Sequence, residues 1–172
     1  NLEQGSFTIL NLKNNKTLFS AQNVTFQLDD IAISDETLEQ KIPFAYKKYA
    51  FSCDSLFYKT DDGYQIKSNK IATTNVGIDI EQFSMVSLYN RRQFVNQLPK
   101  EKDLYTLKAD KISVKNMDWG FKEEVFFFKT NQILLSQVDS NIHRSKMPED
   151  DLSSKPLYNK LLRELPFALK VD

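Results

Sequence analysis

Few residues in this chain have the types and spacing to do chemistry. A thiol nucleophile needs a base beside it. The single cysteine, Cys53, has as its only imidazole candidate His143, far along the chain in a polar stretch. One cysteine forms no intrachain disulfide, and in an apolar run it reads as a small buried hydrophobe. Carboxylates cluster at Asp29-Asp30, Asp61-Asp62 and Glu149 to Asp151. Each sits among turn-forming residues, and none has the alternating spacing and central glycine of a calcium loop. His143 has no Cys or His at zinc-ligand spacing. Four scattered glycines make no phosphate cradle, and neither a Ser-x-Gly elbow nor His-Glu-x-x-His occurs. The expectation is a protein that is not an enzyme, with no catalytic residue, metal or cofactor. Two dense basic spots remain, Arg91-Arg92 and His143 to Lys146. Their ordinary reading is a solvated loop, and the functional one is an anionic partner or lipid headgroup.

Composition narrows the class. The chain is 41% hydrophobic and 27% charged, which suits a soluble folded segment. Its formal net charge of zero argues against a nucleic-acid partner, which calls for a basic excess. No apolar run reaches the length of a transmembrane helix, and the first residues do not form a secretory leader. Phe and Tyr are plentiful, at 13 and 7 residues, and they favour strands.

A repeat organises these aromatics. Tyr105–Val114 (YTLKADKISV) is its clearest copy, followed by Phe126–Leu135 (FFFKTNQILL), Tyr64–Thr73 (YQIKSNKIAT), Tyr49–Tyr58 (YAFSCDSLFY) and, more loosely, Thr17–Phe26 (TLFSAQNVTF). Phe167–Asp172 starts the pattern again. Each copy has a small residue at its middle, namely Ala21, Cys53, Ser68, Ala109, Thr130 or Val171. Bulky residues stand four and two places before it, and apolar residues three and five places after it. A regular strand would throw the second pair onto the opposite face. One extra residue, a β-bulge at the first or second place after the small residue, restores a single buried face. Asp or Asn often stands there and tolerates irregular backbone angles. The pattern predicts long strands bent near their middles. Two short strands meeting at a tight corner are the alternative.

Along the chain, a hairpin over residues 7–28 turns at Asn14-Asn15. Ile31–Ile33 reads as a short strand, 34–40 as a polar loop, and Asp61-Asp62-Gly63 as a turn between strands. Leu88–Leu98 fits a short helix. Residues 139–154 lack periodicity and are expected to be loop. A second helix is expected over about 155–165, with Ser154 as cap, Pro156 early and a leucine stripe. The fold class is therefore mainly β: a curved antiparallel sheet of bent repeat strands with two short inserted helices. Residues 1–172 form one β-repeat segment, expected to be a fragment of a longer protein.

Leu161–Asp172 (LLRELPFALKVD), with Tyr105–Val114 in support, resembles the AsmA/TamB-like repeat-β proteins of the diderm cell envelope. The resemblance implies a periplasmic location, a membrane anchor outside this chain, and an apolar groove. It also implies a role in lipid transport between membranes or outer-membrane assembly, with lipid or other envelope proteins as partners. The candidate groove or core lining is Tyr49, Phe51, Tyr64, Ile66, Tyr105, Leu107, Phe126 and Phe128. The alternative function is a structural or protein-binding β module that pairs through an open sheet edge at Phe167–Asp172.

Overall fold

The computed structural model describes residues 1–122, 125–150 and 152, and the backbone of 168–171. Its main sheet has ten strands. They are β1 (Leu2–Leu10), β2 (Thr17–Asp29), β3 (Lys48–Cys53), β4 (Ser55–Lys59), β5 (Tyr64–Ser68), β6 (Lys70–Thr74), β7 (Gly77–Ser87), β8 (Asp103–Lys115), β11 (Gln132–Ser136) and β12 (Asp139–Arg144). A smaller sheet holds β9 (Asp118–Lys122), β10 (Val125–Thr130) and β13 (Ala168–Val171). Pairing in the main sheet is antiparallel throughout, and β13 joins β10 in parallel.

Several strands are halves of longer ones. Cys53 faces Ile71 and Leu56 faces Ser68, so the β3–β4 and β5–β6 segments keep one register across their breaks. β11 and β12 likewise lie along β8 in one register, Leu135 facing Ile112 and Asp139 facing Lys108. The sheet is thus a meander of long strands, and most are interrupted near their middles along one transverse line. Asn23, Gln82 and Gln137 on that line have φ of 50, 52 and 49°, in the left-handed region. The residues across from them are aspartates: the Asn23 amide donates to Asp54 at 2.8 Å, and the Gln82 amide reaches Asp110 at 3.4 Å. The backbone N–H groups of Asp54 and Asn69 donate to the carbonyls of Gln22 and Glu81 at 3.0 Å each, so the line leaves these groups satisfied.

The register explains why the break exists. Ala21 pairs with Leu56 and Leu56 with Ser68, while Cys53 pairs with Ile71 and Ile71 with Ile80. Apolar side chains before and after the line therefore fall in continuous rows. The five small mid-repeat residues, Ala21, Cys53, Ser68, Ala109 and Thr130, are all at most 3% exposed. They lie among the most buried residues of their strands. The expected parity flip is present: β2 shifts register against β1 between Ala21 and Val24, at Asn23, whereas Asp54 and Asn69 interrupt the half-strands without shifting their register. In the Phe126–Leu135 copy the tight-corner alternative holds instead. Thr130 is buried and donates to the Lys115 carbonyl at 2.7 Å, where the chain leaves one sheet for the other.

That corner belongs to one long hairpin. Lys129 faces Asp118 and Gln132 faces Lys115, so 103–122 and 125–144 keep a single register through both sheets. The hairpin tip, β9 and β10, forms the small sheet.

Two short helices interrupt the strands among the described residues. α2 (Arg91–Asn96) lies within the expected segment and is closed by a capping box, with the Gln93 N–H on the Asn90 side chain and the Gln93 amide answering the Asn90 N–H. Its Phe94 is buried with Tyr64 and Leu104, flanked by Met85 and Leu98. The other helix, α1 (Asp35–Leu38), corrects the polar loop expected over 34–40: Ser34 and Thr37 form a capping box that a hydrophobicity count does not register. The strand expected at 31–33 reduces to one bridge, Ala32 with Ala45. The loop expected over 139–154 is also corrected, because Asp139–Arg144 is β12, recruited by the free edge of β8 despite its polar sequence. The helix expected over 155–165 lies outside the described residues.

The mid-strand line makes a stability prediction. Gln82→Val, a β-branched residue at φ 52°, is expected to cost about 1–3 kcal/mol. Gln82→Gly should stay within about 1 kcal/mol of wild type, because relief of strain offsets chain entropy. Urea unfolding of both variants checks this, and equal losses would mean that backbone strain is not what Gln82 carries.

Candidate functional site

The apolar face carries a cleft of about 340 Å³ near one end. Its walls are Phe26 and Leu28 from β2, Tyr49 and Phe51 from β3, Ile42, Phe44 and Tyr46 from the segment before β3, and Trp119 from β9. The strands supply the floor because their alternation points Phe26 against Phe51 and Leu28 against Tyr49. The 41–47 segment supplies a side wall by the same period of two: Ile42, Phe44 and Tyr46 are half-buried while Lys41, Pro43, Ala45 and Lys47 are exposed. Trp119 arrives from the folded hairpin tip, and its indole N–H donates to the Tyr49 hydroxyl at 2.8 Å.

Aromatic rings run unbroken through this site. Phe44 to Tyr46, Tyr46 to Tyr49, Tyr49 to Trp119, Trp119 to Phe126 and Phe126 to Phe121 have centroids 5.6–6.3 Å apart, mostly edge-on or tilted. Such pairs contribute about 0.5–1.5 kcal/mol each beyond area burial. Among the described residues the lining has no charged side chain; its polar groups are the Tyr46 and Tyr49 phenols and the Trp119 indole N–H. Burial, with Tyr49 close by, pushes the Tyr46 phenol above its usual pKa, so it remains neutral. The cleft has the space and the apolar walls to hold an apolar group.

The chain matched no protein-family model, no curated protein and no solved structure.

The eight candidate lining residues divide into two groups. Tyr49 and Phe51 line the cleft, Phe126 continues its ring chain behind Trp119, and Phe128 faces Trp119 across β9 and β10. Tyr64, Ile66, Tyr105 and Leu107 lie together at the opposite strand ends. There Ile66 and Leu107 flank Met85, and Tyr64 is only 5% exposed beneath α2. Tyr64 accepts the Tyr105 N–H at 3.1 Å, and the Tyr105 hydroxyl donates to Asp103. Burial first, and then Asp103, raises the Tyr105 pKa. Of this second group only Tyr64 is closed core under a helix; Ile66 and Leu107 are half-buried and Tyr105 is exposed. Ile42, Phe44, Tyr46 and Trp119 were not among the candidates. The Ile-x-Phe-x-Tyr alternation was a usable signal for the first three, whereas Trp119 joins them only through the tertiary fold.

Cys53 lies in the core with Ala21 and Val24, 1% exposed. Among the described residues no three His, Cys, Asp or Glu side chains come together as a metal site. No helix among them is long and apolar enough to cross a membrane. Desolvation raises the Cys53 pKa, which lowers its thiolate fraction at neutral pH. We expect no reaction with a thiol-specific disulfide reagent in the native state and a full single equivalent in denaturant. Rapid native labelling would show that the core around Cys53 opens.

Proposed function

We propose that this chain is a non-catalytic, lipid-holding segment of a cell-envelope protein, acting in lipid transfer between membranes or in outer-membrane assembly. The observation that carries the reading is the aromatic cleft. It is concave and walled by apolar and aromatic side chains from three separate stretches of chain. Its volume lies in the range of about 300–1,000 Å³ common to small-molecule sites. An acyl chain suits a lining with no charge to satisfy, since each methylene removed from water contributes about 0.8 kcal/mol. The long hairpin supports the reading by holding Trp119 over the floor without filling the space. The resemblance of the bent repeat to AsmA/TamB-like proteins adds the periplasmic setting and the anchor outside this chain.

A second reading, a β module that recruits a strand, has its own support. The outer sides of β1 and β11–β12 have no strand partner among the described residues. Phe7, Ile9, Ile133, Leu134 and Leu135 on them are 43–57% exposed. Neither strand carries the lysine or proline that usually blunts an edge. In the edge first expected, Phe167–Asp172, the described part Ala168–Val171 pairs with β10 on one side and ends the small sheet.

Trp119 is the sole tryptophan, so its fluorescence reports on the cleft. A brominated fatty acid should quench it saturably, and Phe44→Asp should abolish the quenching while leaving the circular dichroism of the sheet intact. Absence of quenching in the folded wild-type protein rejects the lipid reading. For the edge reading, sedimentation should show concentration-dependent association that Leu134→Lys weakens. A monomer at every concentration, with no strand peptide bound, rejects it.

A further inference from the structure

The two basic spots that lie far apart in sequence meet in space. Arg91, Arg92, Val95 and Asn96 of α2 and His143, Ser145 and Met147 line a separate cleft of about 480 Å³. We propose that this cleft is a binding site for a phosphate group, free or borne by an ester. The proposal does not rest on the aromatic cleft, which has a different lining.

The fold builds this site from two directions. α2 is fixed by its capping box and by Phe94, buried with Tyr64 and Leu104, which leaves Arg91 and Arg92 on its exposed side. His143 is set by β12, whose register places it opposite Leu104. The segment after β12 is drawn back by pairing of Glu149 with Lys100, the Glu101 N–H donating to the Glu149 carbonyl at 2.8 Å. That return brings Ser145 and Met147 to the cleft.

The charge distribution selects the ligand. Among the described residues no carboxylate lines the cleft. The neighbouring arginine, Arg144, is committed elsewhere: it forks onto Asp103 at 2.6 and 2.7 Å and lies 3.6 Å from Glu101. Asp103 and Glu101 are thereby paired with a residue outside the lining. Arg91 and Arg92 have no ion-pair partner among the described residues. Two guanidinium groups offer forked donors that match phosphate oxygens. The imidazole of His143, the Asn96 amide and the Ser145 hydroxyl each supply a further donor. Val95 and Met147 form an apolar flank that suits an ester with a carbon chain and leaves inorganic phosphate room to bind.

His143 is the only histidine, so its imidazole proton resonances form an isolated reporter. They should shift saturably when the full chain is titrated with inorganic phosphate, and Arg91→Gln/Arg92→Gln should weaken that binding by about tenfold or more, the loss expected for one charge-assisted hydrogen bond. Vesicles separate the sources. Retention on phosphatidylglycerol but not phosphatidylcholine vesicles, abolished by the same double variant, assigns a lipid headgroup. Saturation by phosphate without vesicle retention assigns a soluble phosphoester. Unchanged resonances with both ligands, or equal shifts in wild type and double variant, would overturn the proposal. Both arginines are exposed, and a wild-type urea midpoint in the double variant confirms that folding is intact.

Discussion

The structure depends on keeping one face apolar along strands too long to remain regular. A strand's side chains alternate, so a repeat whose apolar pairs are out of step can share a face only if the backbone absorbs one residue. The left-handed residues Asn23, Gln82 and Gln137 do so, and Asp54 and Asp110 stand across from the first two. Both clefts rely on it. The aromatic floor is continuous because the rows on either side of the line agree, and β12 carries His143 to α2 because β8 holds a single register past Asp110.

The two ends of the apolar face have opposite fates. At one, α2 inserts Phe94 and closes over Tyr64. At the other, the folded hairpin brings Trp119 to Tyr49 and leaves space between them. The difference is one of covering element rather than of strand sequence: Tyr49 and Tyr64 occupy the same place in their repeat copies, yet one lines a cleft and the other is buried. Ligand-holding capacity is therefore set by what the loops carry.

This separates what could be read in the sequence from what could not. The parity flip, the small buried residue at each middle, the turns at Asn14-Asn15 and Gly63, and α2 were all legible, because each is local. β12 was not, since its residues are polar and its pairing is supplied by β8. α1 was missed because a capping box is made of side-chain hydrogen bonds rather than of hydrophobic period. Tyr49 and Phe51 were identifiable as lining from their strand. Trp119 was not, because its place depends on a hairpin folding at Thr130. Convergence of Arg91-Arg92 with His143 needed the whole meander in register.

The same line governs how the chain length can vary. Deleting Asn23 would make β2 a regular strand and turn Val24, Phe26 and Leu28 toward the polar side, everting half the strand. An insertion of one residue elsewhere in a strand would do the same to everything beyond it. Length changes are thus confined to turns, or must come as compensating pairs within one strand. Divergence in this architecture should show strands of fixed length joined by loops that vary freely.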